Sequence, residues 1–232
     1  MFHPLRRPEI TLEKGLEPAN PRMDQYILSQ TGRANPAVCF IYPSGEATEY
    51  LLRFYSAFRK LSCRPSHLLL FNPPIGDLES FILGMDCIYV GGGNTKSMLA
   101  VWREWELDRI LRRAWLEGIV LAGVSAGSMC WFEQGLTDSI PGSLNCLRCL
   151  GFLAGSNCPF YDGAAERRTV YPKLVGEGRM LPGYAAELGV GLHFIGGELR
   201  RVVSTKPLAL AYYVSVESGQ VSERPIQPEI LE

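Results

Sequence analysis

Short apolar runs alternate with amphipathic stretches from about residue 37 onward, and this alternation restricts the chain to a small set of folds. Buried strands are predicted where the apolar runs are short and continuous, at residues 37–42, 67–71, 87–90 and 119–124. Helical spacing of apolar residues between them predicts helices over residues 46–61, 77–83, 95–105 and 107–116. This repeat is typical of a mostly parallel sheet with helices on both faces, so the sequence predicts an α/β fold.

The pattern changes after about Gly142, where apolar segments become short and are separated by glycines. Residues 191–195 and 198–204 flank Gly196-Gly197, a pair that favours a β-hairpin, and residues 208–215 predict a further strand. Helical periodicity fades in this part of the chain. We therefore predict one domain over residues 1–232 with a C-terminal antiparallel extension, and an N-terminal extension over residues 1–33 that packs on it; two domains are the alternative.

The charge balance argues against a nucleic-acid partner. Lys and Arg number 23 against 24 Asp and Glu, so no basic excess is available to neutralise a row of phosphates. The N-terminal sequence MFHPLRRPEITLEKG carries charges where a secretory signal needs an apolar stretch. The longest low-charge run, residues 119–132, is shorter than the roughly 20 apolar residues of a membrane span. We expect a cytoplasmic protein without a membrane partner.

The seven cysteines leave two interpretations open. Cys146-x-x-Cys149 followed by Cys158 supplies three thiolates for a zinc site, but the sequence has no nearby fourth Cys or His to complete a tetrahedron. Reduced thiols in the core or in loops are the favoured interpretation. We therefore expect no metal.

The segment Gly123-Val124-Ser125-Ala126-Gly127 matches the pattern G-x-S-x-G. An apolar strand precedes it, and residues 128–132 predict the first turns of a helix. A serine on such a sharp turn projects its hydroxyl into open space, and the strained backbone needs small neighbours. The pattern predicts that Ser125 is a nucleophile. A Gly/Ser-rich turn that packs a buried helix onto the sheet is the alternative.

A triple-glycine loop, Gly91-Gly92-Gly93, follows the predicted strand at residues 87–90 and precedes Asn94. Because the carboxyl ends of parallel strands share one edge, we expect this loop beside Ser125. The amide of Gly92 would then join the amide of Ala126 in an oxyanion hole. A phosphate-binding loop is the alternative, but neither G-x-x-x-x-G-K-[ST] nor G-x-G-x-x-G is present.

Two adjoining motifs, IYVGGGNT at residues 88–95 and AGVSAGS at residues 122–128, resemble the peptidase E family of serine peptidases. These are aspartyl dipeptidases, related to the cyanophycinases. The resemblance extends over nearly the whole chain through NPRMDQYILSQTG, CWFEQGLTDS, NCPFYDGAAERR and GLHFIGGEL. It implies a flavodoxin-like fold, related to class I glutamine amidotransferases, and a Ser nucleophile with a His and an acidic partner. It also implies small peptides with N-terminal Asp as substrates, without a cofactor. We consider a homodimer as the assembly.

The sequence departs from this family at both partners of the serine. Phe160 stands where the family carries the catalytic histidine, and Leu188 stands where it carries the acidic residue. Glu187 is one position earlier, where an extended backbone turns the side chain to the opposite face. His193 is the remaining candidate base, but a packed histidine is the favoured interpretation. We therefore predict that Ser125 lacks the family's base.

Three substrate-binding candidates follow from the resemblance: Asn94, Asp138 and Arg168. Arg167 and Arg168 lie in the segment that supplies cations to the family's pocket, and a guanidinium suits a substrate carboxylate. Surface arginines are the alternative. Asp138 is placed in the cleft by resemblance, while a helix cap or turn is the alternative.

These observations favour a peptidase E-like serine hydrolase that acts on small peptides through a Ser125 acyl-enzyme, with its activity impaired by the missing base. The alternative is a non-catalytic protein that binds an acidic peptide or amino-acid derivative on the same scaffold. A third hypothesis is an acyl-transfer enzyme that uses a base supplied by the substrate.

Overall fold

The computed structural model of the chain describes residues 8–12, 21–42, 48–71, 76–163 and 165–232. Its helices are α1 (Arg22–Ser29), α2 (Thr48–Phe58), α3 (Leu78–Leu83), α4 (Thr95–Glu104), α5 (Leu107–Leu116), α6 (Ala126–Met129) and α7 (Ala165–Gly176). Its strands are β1 (Pro8–Leu12), β2 (Ala37–Ile41), β3 (Arg64–Leu68), β4 (Cys87–Val90), β5 (Val120–Val124), β6 (Phe132–Thr137), β7 (Asn145–Arg148), β8 (Leu153–Cys158), β9 (Gly183–Ala186), β10 (Val190–Ile195), β11 (Glu198–Ser204), β12 (Ala211–Glu217), β13 (Gln220–Ile226) and β14 (Glu229–Ile230).

The main sheet has the strand order β14-β11-β10-β1-β5-β4-β2-β3. Strands β3, β2, β4, β5 and β1 are parallel, and β10 joins β1 antiparallel. Strands β2, β4 and β5 are buried along their whole length, as expected for parallel strands covered on both faces. The predicted α/β fold, with a mostly parallel sheet, is confirmed.

Helices cover the main sheet on both faces. Buried residues of α1 and α2 pack with Val38, Phe40 and Tyr89, whereas residues of α4 and α5 pack with Ile41 and Val90. The two sets alternate along β2 and β4, because successive side chains of a strand point to opposite faces. Two apolar layers therefore hold the sheet. Within the part of the chain that the structure describes, no helix has the length and apolar character needed to cross a bilayer.

The C-terminal half forms a second sheet of strand order β13-β12-β9-β8-β6-β7. The predicted hairpin around Gly196-Gly197 is confirmed as β10 and β11, but these strands extend the main sheet. The second sheet is mixed, because β6, β8 and β9 pair in parallel while β7, β12 and β13 pair antiparallel. The predicted antiparallel extension is thus divided between the two sheets.

The predicted helix over residues 128–132 is wrong in its extent. Helix α6 ends at Met129, and Phe132 begins β6. Trp131 and Phe132 are fully buried, and the carbonyl of Trp131 accepts hydrogen bonds from the amides of Phe152 and Leu153. Tertiary pairing with the start of β8 thus ends the helix after one turn.

Strand pairing also shifts two predicted strands. The strand predicted at residues 67–71 is β3, Arg64–Leu68, because its pairing with β2 begins at Ala37 opposite Arg64. The strand predicted at residues 208–215 is β12, whose pairing with β9 begins at Ala211. In both cases the partner strand, and not the apolar run, sets the boundary.

Several elements lie where the sequence predicted no regular structure, among them β1 and α7. Strand β1 is inserted between β5 and β10, so part of the expected N-terminal extension belongs to the main sheet itself. Helix α7 contains Pro172 and a buried Arg167, which interrupt the apolar stripe of an amphipathic helix. The assignment of residues 1–232 to one domain stays a prediction.

Candidate active site

Ser125 occupies a sharp turn between β5 and α6. Its backbone has φ 57° and ψ −112°, a sparsely populated conformation for a residue with a side chain. The residues two positions away on either side must be glycines, because a Cβ at Gly123 would overlap the backbone of Gly127, and a Cβ at Gly127 would overlap the backbone of Val90. Helix α6 is fully buried, whereas Ser125 is only half-buried. The turn therefore packs a buried helix and still leaves Ser125 partly open to solvent.

Hydrogen bonds hold the Ser125 turn to the second sheet. The carbonyl of Ser125 accepts from the amides of Ser128 and Met129. The hydroxyl of Ser128 lies 2.9 Å from the same carbonyl oxygen and 3.1 Å from Oδ1 of Asn157 on β8. Nδ2 of Asn157 in turn donates to the carbonyl of Tyr184. These bonds connect the Ser125 turn, through Ser128 of α6, to β8 and β9 of the second sheet.

The triple-glycine loop lies against Ser125, as the shared sheet edge led us to expect. Strands β4 and β5 are neighbours, with Val90 opposite Gly123. A Cβ at Gly92 would lie 3.2 Å from Cβ of Ser125 and 3.7 Å from its Oγ. The adjacency of the loop and the serine is therefore present, while the role of Gly92 and Ala126 as oxyanion donors stays a prediction.

The amide of Gly92 already has an acceptor, and this partner was missed by the sequence analysis. It donates to the hydroxyl of Tyr50 over 3.2 Å. Tyr50 lies in the first turns of α2, which follows β2, the strand next to β4. The shared carboxyl edge of β2, β4 and β5 was the signal that could have drawn attention to it. Burial raises the pKa of the Tyr50 phenol, and the N–H of Gly92 acts in the opposite direction.

Phe160 packs against the apolar cluster that contains Val124, and Tyr50 packs against the same cluster. Its backbone has φ 53°, in the left-handed region that few non-glycine residues adopt. The loop that carries Phe160 and the loop that carries Leu188 meet, because the amide of Leu188 donates to Oδ1 of Asp162 over 2.8 Å. The structure thus brings together the loops that carry positions 160 and 188, and neither Phe160 nor Leu188 has a side chain that accepts a proton.

Glu187 is bound to the C-terminal strands. Its Oε2 accepts from the amide of Leu210 over 2.9 Å, and its Oε1 accepts from the hydroxyl of Tyr212 over 3.1 Å. Arg168 also reaches Oε1, over 3.4 Å. The Glu187 side chain is only 12% exposed. These contacts give the carboxylate a structural function, and the role of Glu187 as a doubtful substitute for the family's acidic residue stays a prediction.

The three substrate-binding candidates have different surroundings. Asn94 caps α4, since its Oδ1 accepts from the amide of Ser97, and its Nδ2 donates to the carbonyl of Ser139. Asp138 is largely exposed and accepts from the buried Arg167 over 3.2 Å. Asn94 and Asp138 are thus neighbours at the end of the glycine loop, through the segment next to Ser139.

Arg168 lies apart from that pair, over the rings of Tyr161 and Tyr212 at 5.3 and 4.8 Å. Its side chain is 49% exposed and forms an ion pair with Glu187. The aromatic rings hold the guanidinium while half of it faces solvent. Contact of Arg168, Asn94 or Asp138 with a substrate stays a prediction.

The two described histidines have tyrosine partners. Nδ1 of His193 lies 2.7 Å from the hydroxyl of Tyr26, and Nδ1 of His67 lies 2.8 Å from that of Tyr55. His193 is on β10, which is separated from β5 by β1. Burial lowers the pKa of His193 to about 4, with a further contribution from Arg201. This favours a packed histidine, as expected. His3 lies outside the described residues.

Among the described residues, no group of three or more His, Cys, Asp or Glu is placed to hold a metal ion.

Comparison with known sequences identifies the family of the chain. Residues 13–202 match the sequence profile of peptidase family S51. The chain belongs to this family. The uncharacterized peptidase YgaJ of Bacillus subtilis (strain 168) is 50% identical over 217 residues, which cover 93% of this chain and 94% of the relative. The resemblance to serine peptidases is thereby confirmed, and the chain is by resemblance a serine-type peptidase of family S51.

Solved structures agree on the fold. A candidate peptidase E protein from Listeria monocytogenes EGD-e has a TM-score of 0.63 at 16% identity, covering 84% of this chain and 97% of the other. A peptidase from an acI-B1 Actinobacterium has a TM-score of 0.74 at 12% identity, covering 97% and 96%. At these identities the likeness concerns the fold, which supports the flavodoxin-like assignment of this family S51 chain.

Replacing Gly127 by Ala should dismantle the Ser125 turn. The added Cβ would overlap the carbonyl of Val90, which is backbone and cannot move aside without opening the sheet edge. We expect a loss of about 3 kcal/mol or more in the free energy of unfolding, measured by urea denaturation. Gly76→Ala is the matched control, because an added Cβ there meets nothing within 4 Å. Equal stability of the two variants would contradict the close packing of α6 on β4.

His193 should make the protein less stable as the pH falls from about 6.5 to 4. In the folded chain the pKa is lowered from 6.5 to about 4, so between these values the unfolded chain binds the extra proton. The contribution of the neutral His193 to the free energy of unfolding is fully present above about pH 6.5 and amounts to about 3 kcal/mol at most. Urea unfolding at pH 7 and pH 4.5 should show a smaller pH dependence for His193→Gln than for the wild type. An unchanged difference between the two pH values would contradict a neutral, buried His193.

Proposed function

We propose that this chain is a cytoplasmic serine hydrolase that attacks the carbonyl group of small peptides with Ser125 and passes through an acyl-enzyme. The observation that carries the proposal is the strained, half-buried Ser125 on the turn between β5 and α6, with Gly92 of the neighbouring loop against it. A strained serine at this position is typical of nucleophiles.

The proposed reaction has two steps. Oγ of Ser125 forms a bond to the carbonyl carbon while the π electron pair moves to the carbonyl oxygen. The pair then returns, the C–N bond breaks, and the amine leaves with the serine proton, transferred directly or through water. Water hydrolyses the ester in the second step. The amide of Ala126 supports the oxyanion, because the first amides of a helix have no acceptor within it.

Proton transfer is the slow part of this mechanism. Phe160 replaces the family's base, and Glu187 is bound to Leu210 and Tyr212. Loss of triad members removes roughly 10⁴ to 10⁶ of the rate in serine peptidases, and what remains comes from the oxyanion hole and from substrate binding. We therefore expect slow turnover of peptides.

The proposed substrates are small peptides with an N-terminal Asp. Arg168 offers a guanidinium with one face on Tyr161 and Tyr212 and half of its side chain open to solvent. A planar guanidinium binds a carboxylate through two parallel hydrogen bonds. Its ion pair with Glu187 is long, at 3.4 Å, so a substrate carboxylate competes for it on favourable terms.

A binding protein without catalysis is the second candidate. It is favoured by one observation, that Phe160 packs against the apolar cluster that contains Val124. Under this proposal the scaffold binds an acidic peptide or amino-acid derivative, and the ligand leaves intact. Binding would raise the melting temperature by mass action without any change in the ligand.

Labelling of Ser125 by a fluorophosphonate separates the two candidates. We expect the wild type to be labelled slowly, Ser125→Ala to be unlabelled, and Phe160→His combined with Leu188→Asp to be labelled about 100-fold faster, since a base is restored. Phe71→His is the control, because Phe71 is 65% exposed. Intact-mass spectrometry gives the rates, and hydrolysis of the dipeptide Asp-Leu is followed beside them.

Other outcomes decide against the hydrolase. Absence of labelling in the wild type and in the double variant, together with intact Asp-Leu, would overturn the proposal. If Asp-Leu then raised the melting temperature of the wild type, the binding protein would be the supported function.

A further inference from the structure

Three groups meet at one point of the site: the amide of Gly92, the hydroxyl of Tyr50 and Ser125. The Gly92 amide donates to Oη of Tyr50 over 3.2 Å. The point where a Cβ of Gly92 would lie is 3.2 Å from Oη of Tyr50 and 3.2 Å from Cβ of Ser125. Oη of Tyr50 therefore lies at the acceptor position of the Gly92 N–H, on the loop residue that adjoins Ser125.

Packing fixes the Tyr50 ring in this position. The ring stacks on Phe40 with centroids 5.8 Å apart and planes 16° apart, and Tyr42 lies at 5.3 Å. On the remaining side, a Cβ at Gly91 would lie 3.4 Å from Cε1 of Tyr50. Rotating the hydroxyl away from Gly92 would break these contacts or move α2. The amide of Gly92 is therefore committed to Tyr50.

This arrangement leaves the phenolic proton to serve a further acceptor. A hydroxyl has one proton to donate and lone pairs to accept, and Gly92 uses a lone pair. Hydrogen bonds in such a chain polarise one another, so accepting from an amide makes the hydroxyl a better donor. Burial raises the pKa of the phenol, so the proton stays in place at neutral pH.

We propose that the hydroxyl of Tyr50, oriented by the amide of Gly92, donates the hydrogen bond that stabilises the substrate's oxyanion. Tyr50 thus takes the place that the sequence assigned to Gly92, and Ala126 supplies the second donor. The hydroxyl keeps its proton throughout, and the electron pair that moves to the carbonyl oxygen returns when the leaving group departs. This inference rests on the proposed function, since it requires attack by Ser125.

Tyr50→Phe tests this role, with Tyr55→Phe as the matched control. Tyr55 lies on the same helix, and its hydroxyl binds His67 instead of the glycine loop. We expect the fluorophosphonate to label Ser125 of Tyr50→Phe about 10- to 100-fold more slowly than the wild type. This is somewhat less than a full oxyanion donor is worth, because the Gly92 amide becomes available to the phosphoryl oxygen. Tyr55→Phe should be labelled at the wild-type rate.

A second measurement excludes a purely structural effect. Acylation by an aryl ester is compared with acylation by its thionoester, whose sulfur is a weak hydrogen-bond acceptor. The wild type should be acylated faster by the oxygen ester than by the thionoester. In Tyr50→Phe the ratio of these two rates should fall by about the same factor as the rate of fluorophosphonate labelling. A disturbed helix α2 would slow acylation by both esters equally. The ratio of the two rates would then stay unchanged, even if only part of the variant were folded.

The outcomes separate this inference from the function on which it rests. No labelling of the wild type or of the Phe160→His and Leu188→Asp double variant, with Asp-Leu left intact, would overturn both. Labelling of the wild type with an equal rate for Tyr50→Phe, or with an unchanged ester ratio, would overturn the role of Tyr50 alone. Faster labelling of Tyr50→Phe would show that the hydroxyl blocks the amide of Gly92, and would equally overturn it.

Discussion

The contact between α6 and the edge of the main sheet is the constraint on which the site depends. Gly123 and Gly127 have no side chain, and this lets the buried helix approach the backbone of Val90 more closely than any Cβ allows. Because the helix begins so close to the strand, Ser125 must turn sharply and adopts φ 57°. The same approach sets β4 and its glycine loop against the serine. The positions of the Ser125 hydroxyl, the glycine loop and the N-terminus of α6 therefore all depend on the absence of a Cβ at Gly123 and at Gly127.

Phe160 has a strained backbone at the position where the resemblance implies a catalytic histidine. Its φ is 53°, although an aromatic side chain gains nothing from the left-handed region. Such strain persists only where the surroundings determine it, and here the amides of Tyr161 and Leu188 bind Ala186 and Asp162. The two loops are thus held by contacts that do not involve the side chain at position 160.

Sequence reasoning succeeded where local pattern decides the structure and failed where distant partners decide it. The apolar runs of β2, β4 and β5 predicted the parallel sheet, and its shared edge predicted that Gly92 adjoins Ser125. Strand β1 was not predictable, since it is defined by pairing with β5 and β10, far away in the sequence. Helix α7 was hidden by Pro172 and Arg167. Tyr50 was missed because its contact with Gly92 joins the start of a helix to a loop 42 positions later.

Under the proposed mechanism, the described residues beside Ser125 supply hydrogen-bond donors, whereas Phe160 and Leu188 supply no proton acceptor. The amide of Ala126 and the Tyr50 hydroxyl, which accepts from the amide of Gly92, would stabilise negative charge as it develops on a carbonyl oxygen. In the part of the chain that the structure describes, both histidines bind tyrosines elsewhere, and Glu187 binds the C-terminal strands. Stabilising the oxyanion lowers the barrier to attack for every acyl group, but it does not help an amine to leave, because an amine must first be protonated. Leaving groups that depart as stable anions need no such proton. Under the proposed mechanism, we therefore expect this site to discriminate between acyl compounds by their leaving group more strongly than a complete triad does.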